Sequence, residues 1–170
     1  MIIKVIGAVM ILLSCGSFGL YIYQGYKKEV SSINELIAIL TFMESELKYH
    51  QLSIQELCYR IRSCYSGCVA KFMHSLALAL DKNDETDISK CVNKILLTNQ
   101  SVPHRTRALL SDIGKTFGCF DLDGQITQLE YHKAKCIQEL EGYIKNKEGY
   151  IHSCQTLGLC AGAAVAILLI

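Results

Sequence analysis

The chain has 170 residues, with 17 lysines and arginines against 16 aspartates and glutamates and a net charge of +1. That balance leaves no basic face for nucleic acid, and a single proline with no tryptophan argues against a turn-rich β fold. Hydrophobic residues make up 51% of the chain and gather at its two ends, a pattern that points to helices and to a lipid bilayer.

Val5 to Tyr23 carries no charge and is long enough for a membrane-spanning helix, which needs about 20 such residues. Tyr21, Tyr23 and Tyr26 follow, then Lys27 and Lys28, the order of an interfacial anchor. Residues 1–26 are therefore expected to form an N-terminal transmembrane helix. A rival reading is an exported lipoprotein: Leu12-Leu13-Ser14-Cys15-Gly16 approaches a lipidation box with Cys15 as the modified residue. Its leucine before Ser14 and the apolar run past Cys15 fit that reading poorly.

Ile33, Leu36, Ile37, Leu40, Met43 and Leu47 repeat at three and four, one amphipathic helix. Nothing strong breaks it from the apolar segment before it. Ser53-Ile54-Gln55-Glu56 is a capping box that starts a second helix through about Tyr65, ended by Ser66-Gly67. A third runs from Cys68 to Leu80, with Val69, Phe72, Leu76 and Leu80 on one side. Asp81 to Asp87 is a polar loop, and a fourth helix spans about Ile88 to Leu97. Pro103 suits the first turn of a fifth helix, which runs to Phe117 with Gly118 closing it. From about Asp123 the last helix buries Ile126, Leu129, Cys136, Leu140, Tyr143 and Ile151. No break separates it from the apolar tail, so it is expected to continue into residues 153–170 as a C-terminal transmembrane helix.

That tail is short. Leu157 to Ile170 as a helix covers roughly 21 Å, less than the ~30 Å hydrocarbon core. Gly158, Gly162 and Ala166 share one face at four-residue spacing, a surface on which membrane helices pack closely and which also permits a homo-oligomer. Cations flank the middle at Lys27, Lys28, Lys145 and Lys147 and are sparse outside it. The positive-inside rule then makes 27–152 a cytoplasmic helical bundle. Nine cysteines, an odd number without a CxxC pair, sit mostly inside helical patterns as small hydrophobes, which fits a reducing compartment.

The residues offer little chemistry. Cys64, Cys68 and His74 fall short of a four-ligand metal set, and no flanking motif marks a cysteine or histidine as activated. Glu44 and Glu46 flank Ser45 and cannot face each other on a helix. Gly114, Gly118 and Gly124 lack the strand and GK[ST] of a phosphate loop. The turn Gly118 to Gln125 has two readings: Asp121 or Asp123 capping the last helix, or a loop that meets a partner. No enzyme activity, cofactor or metal is expected.

Four stretches of the chain resemble the stage III sporulation protein AB family of endospore-forming bacteria. They are Ile2 to Ala8, Leu36 to Tyr49 with its Glu44-Ser45-Glu46 and Tyr49, Phe117 to Gln125, and Leu157 to Ile170. The order and length match along the whole chain. The family's prolines after the first helix and its central tryptophan have no counterpart here. The resemblance implies a helical bundle similar to the cytoplasmic domains of the type II secretion inner-membrane F protein. It implies a membrane component, in the mother cell, of the channel assembled between mother cell and forespore. Expected partners are a secretion-type ATPase and other sporulation channel membrane proteins. Glu44, Glu46, Tyr49, Asp121, Gly124 and Gln125 carry over as motif positions, a candidate partner interface, and no catalytic residue carries over. The fold expected is therefore all-α, a membrane-tethered bundle of about six helices.

Overall fold

The computed structural model describes the backbone of residues 2–50, 52–81, 88–99, 101–116 and 122–169, and the side chains of 17, 21–50, 52–81, 88–99, 101–116 and 123–147. Among the described residues six helices follow one another: α1 (Ile2–His50), α2 (Ile54–Cys64), α3 (Cys68–Asp81), α4 (Ile88–Thr98), α5 (His104–Thr116) and α6 (Leu122–Leu169). Among the described residues there is no strand. The chain divides into two compact units, Met1–Lys28 with Glu141–Ile170, and Glu29–Leu140.

The absence of helix breakers decides the two long elements. α1 runs 49 residues and α6 runs 48, so each apolar terminus continues the helix beside it without interruption. The expected spans at 1–26 and 153–170, and the Gly158, Gly162 and Ala166 face, rest on side chains largely outside those described. Among the described residues no helix is long and apolar enough to cross a membrane.

The core of the Glu29–Leu140 unit is built on the α1 seam. Ile33, Leu36, Leu40, Met43 and Leu47 are buried, spaced three and four apart as helix packing requires. The sixth expected member is different: Ile37 is half-exposed and Ile39 is fully buried. Both flank the seam, and the neighbouring helices cover the Ile39 side. Buried in the same unit are Leu57, Cys58 and Ile61 of α2, Phe72, Met73 and Leu76 of α3, and Val92 and Leu96 of α4. Leu110 and Ile113 of α5 and Leu129, Cys136 and Leu140 of α6 complete the core. Leu80 and Ile126, expected inside, are half-exposed, because each sits near the end of its helix where fewer neighbours reach. Ile151, Phe117 and Gly118 lie outside the described side chains.

Helix starts divide into two kinds. α2 is capped locally: Ser53 accepts from the Glu56 amide while the Glu56 carboxylate accepts from the Ser53 amide. α3 and α5 begin on residues that have no capping side chain. Gly67 is the N-cap of α3, its carbonyl accepting from Lys71 N at 3.2 Å. Pro103 is the N-cap of α5 rather than a first-turn residue, its carbonyl accepting from Arg107 N at 2.9 Å.

α1 supplies both missing caps. Glu35 accepts from Val69 N and Ala70 N, each at 3.2 Å, the second and third amides of α3. Glu29 accepts from Arg105 N at 3.1 Å, the second amide of α5. Free amides at a helix start need an acceptor, and a carboxylate also meets the positive end of the helix dipole. One helix thus orients two others through carboxylates six residues apart.

Candidate interaction surface

The motif residues of α1 lie in its last two turns. Glu44 pairs with Lys48 at 2.7 Å, one turn along the same helix, and also with Lys133 of α6. Lys48 reaches on to Glu130 of α6 at 3.0 Å. As the α1 number rises from 44 to 48 the α6 number falls from 133 to 130, so the two helices run antiparallel here. The carboxyl of Glu44 is held down at about 2, chiefly by hydrogen bonding to Lys133 and then to Lys48. Glu46 turns to the other side and pairs with Arg60 of α2 at 2.7 Å. The two carboxylates thus act in opposite directions, as their spacing requires, and each ties α1 to a neighbour.

Tyr49 is 82% exposed one residue before the end of α1. Gly124 and Gln125 are half-buried in the first turn of α6. Gln125 lines a small cleft with Met43, Leu47, Leu57 and His132. The end of α1 and the start of α6 are therefore neighbours, and five of the six motif positions gather at this end of the Glu29–Leu140 unit. Asp121 lies outside the described residues. Asp123 is exposed in the first turn of α6, where a carboxylate complements the helix dipole.

Several residues of this region were not singled out from the sequence. Lys48, Glu130 and Lys133 complete the ionic ladder, and Tyr131 beside them is 60% exposed. The i,i+4 spacing of Glu44 and Lys48 was a readable signal; the partners on α6 are more than eighty residues away. His132 is buried and its Nε2 lies 2.9 Å from the Thr116 hydroxyl. That hydroxyl also lies 2.8 Å from Ile113 O, to which it can donate. Burial pushes the imidazole below its ordinary value.

Asp112 repeats the Glu44 arrangement between α5 and α6. It accepts from Lys135 at 2.8 Å and Lys115 at 2.9 Å, and is held at about 2 by Lys135 first and Lys115 second. Glu44 and Asp112 start from ordinary values of 4.5 and 3.8. A carboxylate depressed on folding stabilises the fold fully above its unfolded value and loses that contribution as pH falls toward the folded one. The full Glu44 shift corresponds to roughly 3 kcal/mol, and screening at a solvated rim reduces it to about 1–2 kcal/mol. Thermal melts of the detergent-solubilised chain are expected to fall between pH 4.5 and about 2, and Glu44→Gln should flatten that limb. An acid limb of the same depth in the variant would remove the ladder from the account.

Among the described residues Cys58, Cys91 and Cys136 are buried; burial raises Cys58 to about 12 and Cys136 to about 11, far from the reactive range. Cys64 is exposed, Cys68 sits 3.1 Å from the Ser32 hydroxyl, and His74 meets the Tyr59 ring edge-on. Among the described residues no three metal-ligating side chains cluster.

A family model described as stage III sporulation protein AB matches residues 4–170. No curated protein and no solved structure matches the chain. The chain belongs to the stage III sporulation protein AB family.

Proposed function

We propose that this member of a sporulation family is a non-enzymatic membrane platform in a secretion-like channel between mother cell and forespore. In this reading the chain is held at both ends in the mother-cell membrane facing the forespore, with the helical bundle in the cytoplasm. Its partners are a secretion-type ATPase and other sporulation channel membrane proteins. The observation that carries it is the family match over residues 4–170, combined with two apolar ends that continue α1 and α6 as unbroken helices.

The ionic contacts support a scaffold. Glu44, Glu46 and Asp112 are engaged with lysines and an arginine of the same chain, an arrangement that fixes helices rather than performs proton transfer. Tyr49 stands out beside them, 82% exposed. A rigid aromatic ring on a polar rim is a common binding anchor, so Tyr49 is assigned the central contact to a partner.

Crosslinking and pull-down from sporulating cells test this. The wild-type chain is expected to recover a secretion-type ATPase or channel subunits, and Tyr49→Ala to reduce that recovery about tenfold. Recovery of neither class by the wild type sinks the platform reading. A topology reporter inserted between residues 82 and 87 should be active in the cytoplasm; activity only outside it removes the orientation and favours the lipoprotein reading.

A further inference from the structure

We propose that the unit formed by Met1–Lys28 and Glu141–Ile170 carries a binding surface for anionic phospholipid headgroups, so that the chain gathers acidic lipid about its two apolar segments. The inference rests on the membrane reading above and adds to it a lipid class.

A ring contact begins the argument. Tyr26 of α1 and Tyr143 of α6 lie with centroids 5.4 Å apart and planes at 32°, which holds the two segments side by side at that level. Lys27 and Lys28 follow Tyr26 by one and two residues, and Lys145 follows Tyr143 by two. At 1.5 Å of rise per residue, all three lysines lie within roughly 3 Å of the ring pair along their helix axes. All three are exposed. Cations from two distant parts of the sequence therefore sit near one level of the helix pair, around the ring contact.

Their lack of internal partners is the second observation. In the Glu29–Leu140 unit Lys48, Lys115, Lys133 and Lys135 are each paired with a carboxylate. Among the described residues no carboxylate pairs with Lys27, Lys28 or Lys145, although Glu141 lies one turn from Lys145 on the same helix. A cluster of unneutralised cations sets up a positive potential that only an external anion relieves.

Exposed aromatic rings identify the anion. Tyr21 is 77% exposed and Tyr23 is 43% exposed, both within two turns of Tyr26 and on the side of the apolar segment. A soluble acidic protein would account for the lysines, but not for tyrosines leading into an uncharged run. A phosphodiester headgroup joined to acyl chains accounts for both, with the lysines reaching phosphate and the rings lying at headgroup depth.

The chain has no tryptophan, so Tyr21→Trp gives a single fluorophore beside the patch. The full-length variant is reconstituted in bilayers of phosphatidylglycerol and phosphatidylcholine, with bromine on the acyl chains of one lipid or the other. Brominated phosphatidylglycerol is expected to quench more, corresponding to about tenfold preferential occupancy beside the fluorophore. The preference should fall to about one in Lys27→Gln/Lys28→Gln/Lys145→Gln and return in the matching triple arginine variant. Equal quenching by the two lipids, or a preference that survives the glutamine variant, overturns the lipid assignment and leaves the membrane reading intact. No quenching by either lipid overturns the membrane reading, and this inference with it.

Discussion

Glu35→Ala is expected to destabilise the folded chain by about 3 kcal/mol. The carboxylate accepts two amide hydrogen bonds at the start of α3, from Val69 N and Ala70 N. Both are part-buried, so their loss leaves donors with restricted access to water, each costing about 1–3 kcal/mol. A local residue cannot take over, because the N-cap position is Gly67. That glycine is itself explained by Glu35: a Cβ at position 67 would stand 2.0 Å from the Glu35 Oε2. The acceptor from α1 and the missing side chain on the loop are two halves of one contact.

This pairing has a measurable consequence. Gly67→Ala should destabilise by about 2 kcal/mol in the native background, because the added methyl displaces the carboxylate. In the Glu35→Ala background it should cost almost nothing, and the two losses should not add. Urea unfolding of the detergent-solubilised chain, followed by helical circular dichroism, gives all four values. Equal cost of Gly67→Ala in both backgrounds would falsify the contact.

Gly114→Ala is the second large effect, expected at about 2 kcal/mol of destabilisation. Helix propensity alone predicts the opposite sign, since alanine inside a helix is favoured over glycine by about 1 kcal/mol. The crossing of α4 on α5 decides the outcome. A Cβ on Gly114 would lie 2.7 Å from Cγ1 and 2.9 Å from Cβ of Val92. Val92 is 1% exposed, and its Cβ moves only with the α4 backbone. Gly142 supplies the contrast: nothing lies within 4 Å of a Cβ placed there, so Gly142→Ala should stabilise by up to about 1 kcal/mol. In a Val92→Gly background the added methyl at position 114 meets neither the Cγ atoms nor the Cβ of residue 92, and its cost should vanish. Thermal melts of the four variants check both signs, and a stabilising Gly114→Ala in the native background removes the tight crossing.

Local patterns along the chain carried most of the helices. The three–four spacing from Ile33 to Leu47 marks a buried face without knowledge of what covers it, because periodicity is a property of one helix. The capping box at Ser53 and Glu56 is local in the same way: donor and acceptor lie three residues apart and are found as predicted. The uninterrupted run from Asp123 into the tail announced a single long helix through the absence of proline and glycine clusters. The source of a cap was less legible where it comes from elsewhere. Ser66-Gly67 reads as the break between α2 and a helix from Cys68, which is where α3 starts, but the Glu35 carboxylate that accepts from amides of its first turn belongs to another helix.

The candidate surface was legible in part. Its motif positions were named from the resemblance, and their gathering at one end follows from the antiparallel approach of α1 and α6 in the Glu29–Leu140 unit. The roles of Glu44 and Glu46 were not readable. Whether a carboxylate on a helix faces solvent, a partner or a lysine of another helix depends on which helix lies beside it.

Sequence alone determined the all-α class, the six helices, the apolar ends and the α1 seam, because each follows from residues within a few turns of one another. Tertiary structure decided the rest: Glu35 and Glu29 as caps for other helices, the Glu44–Lys133 and Asp112–Lys135 pairs, the Gly114 crossing, and the contact of Tyr26 with Tyr143. Each of these joins residues separated by more than twenty positions, and such contacts exist only once the packing of the seam has fixed which helices are neighbours.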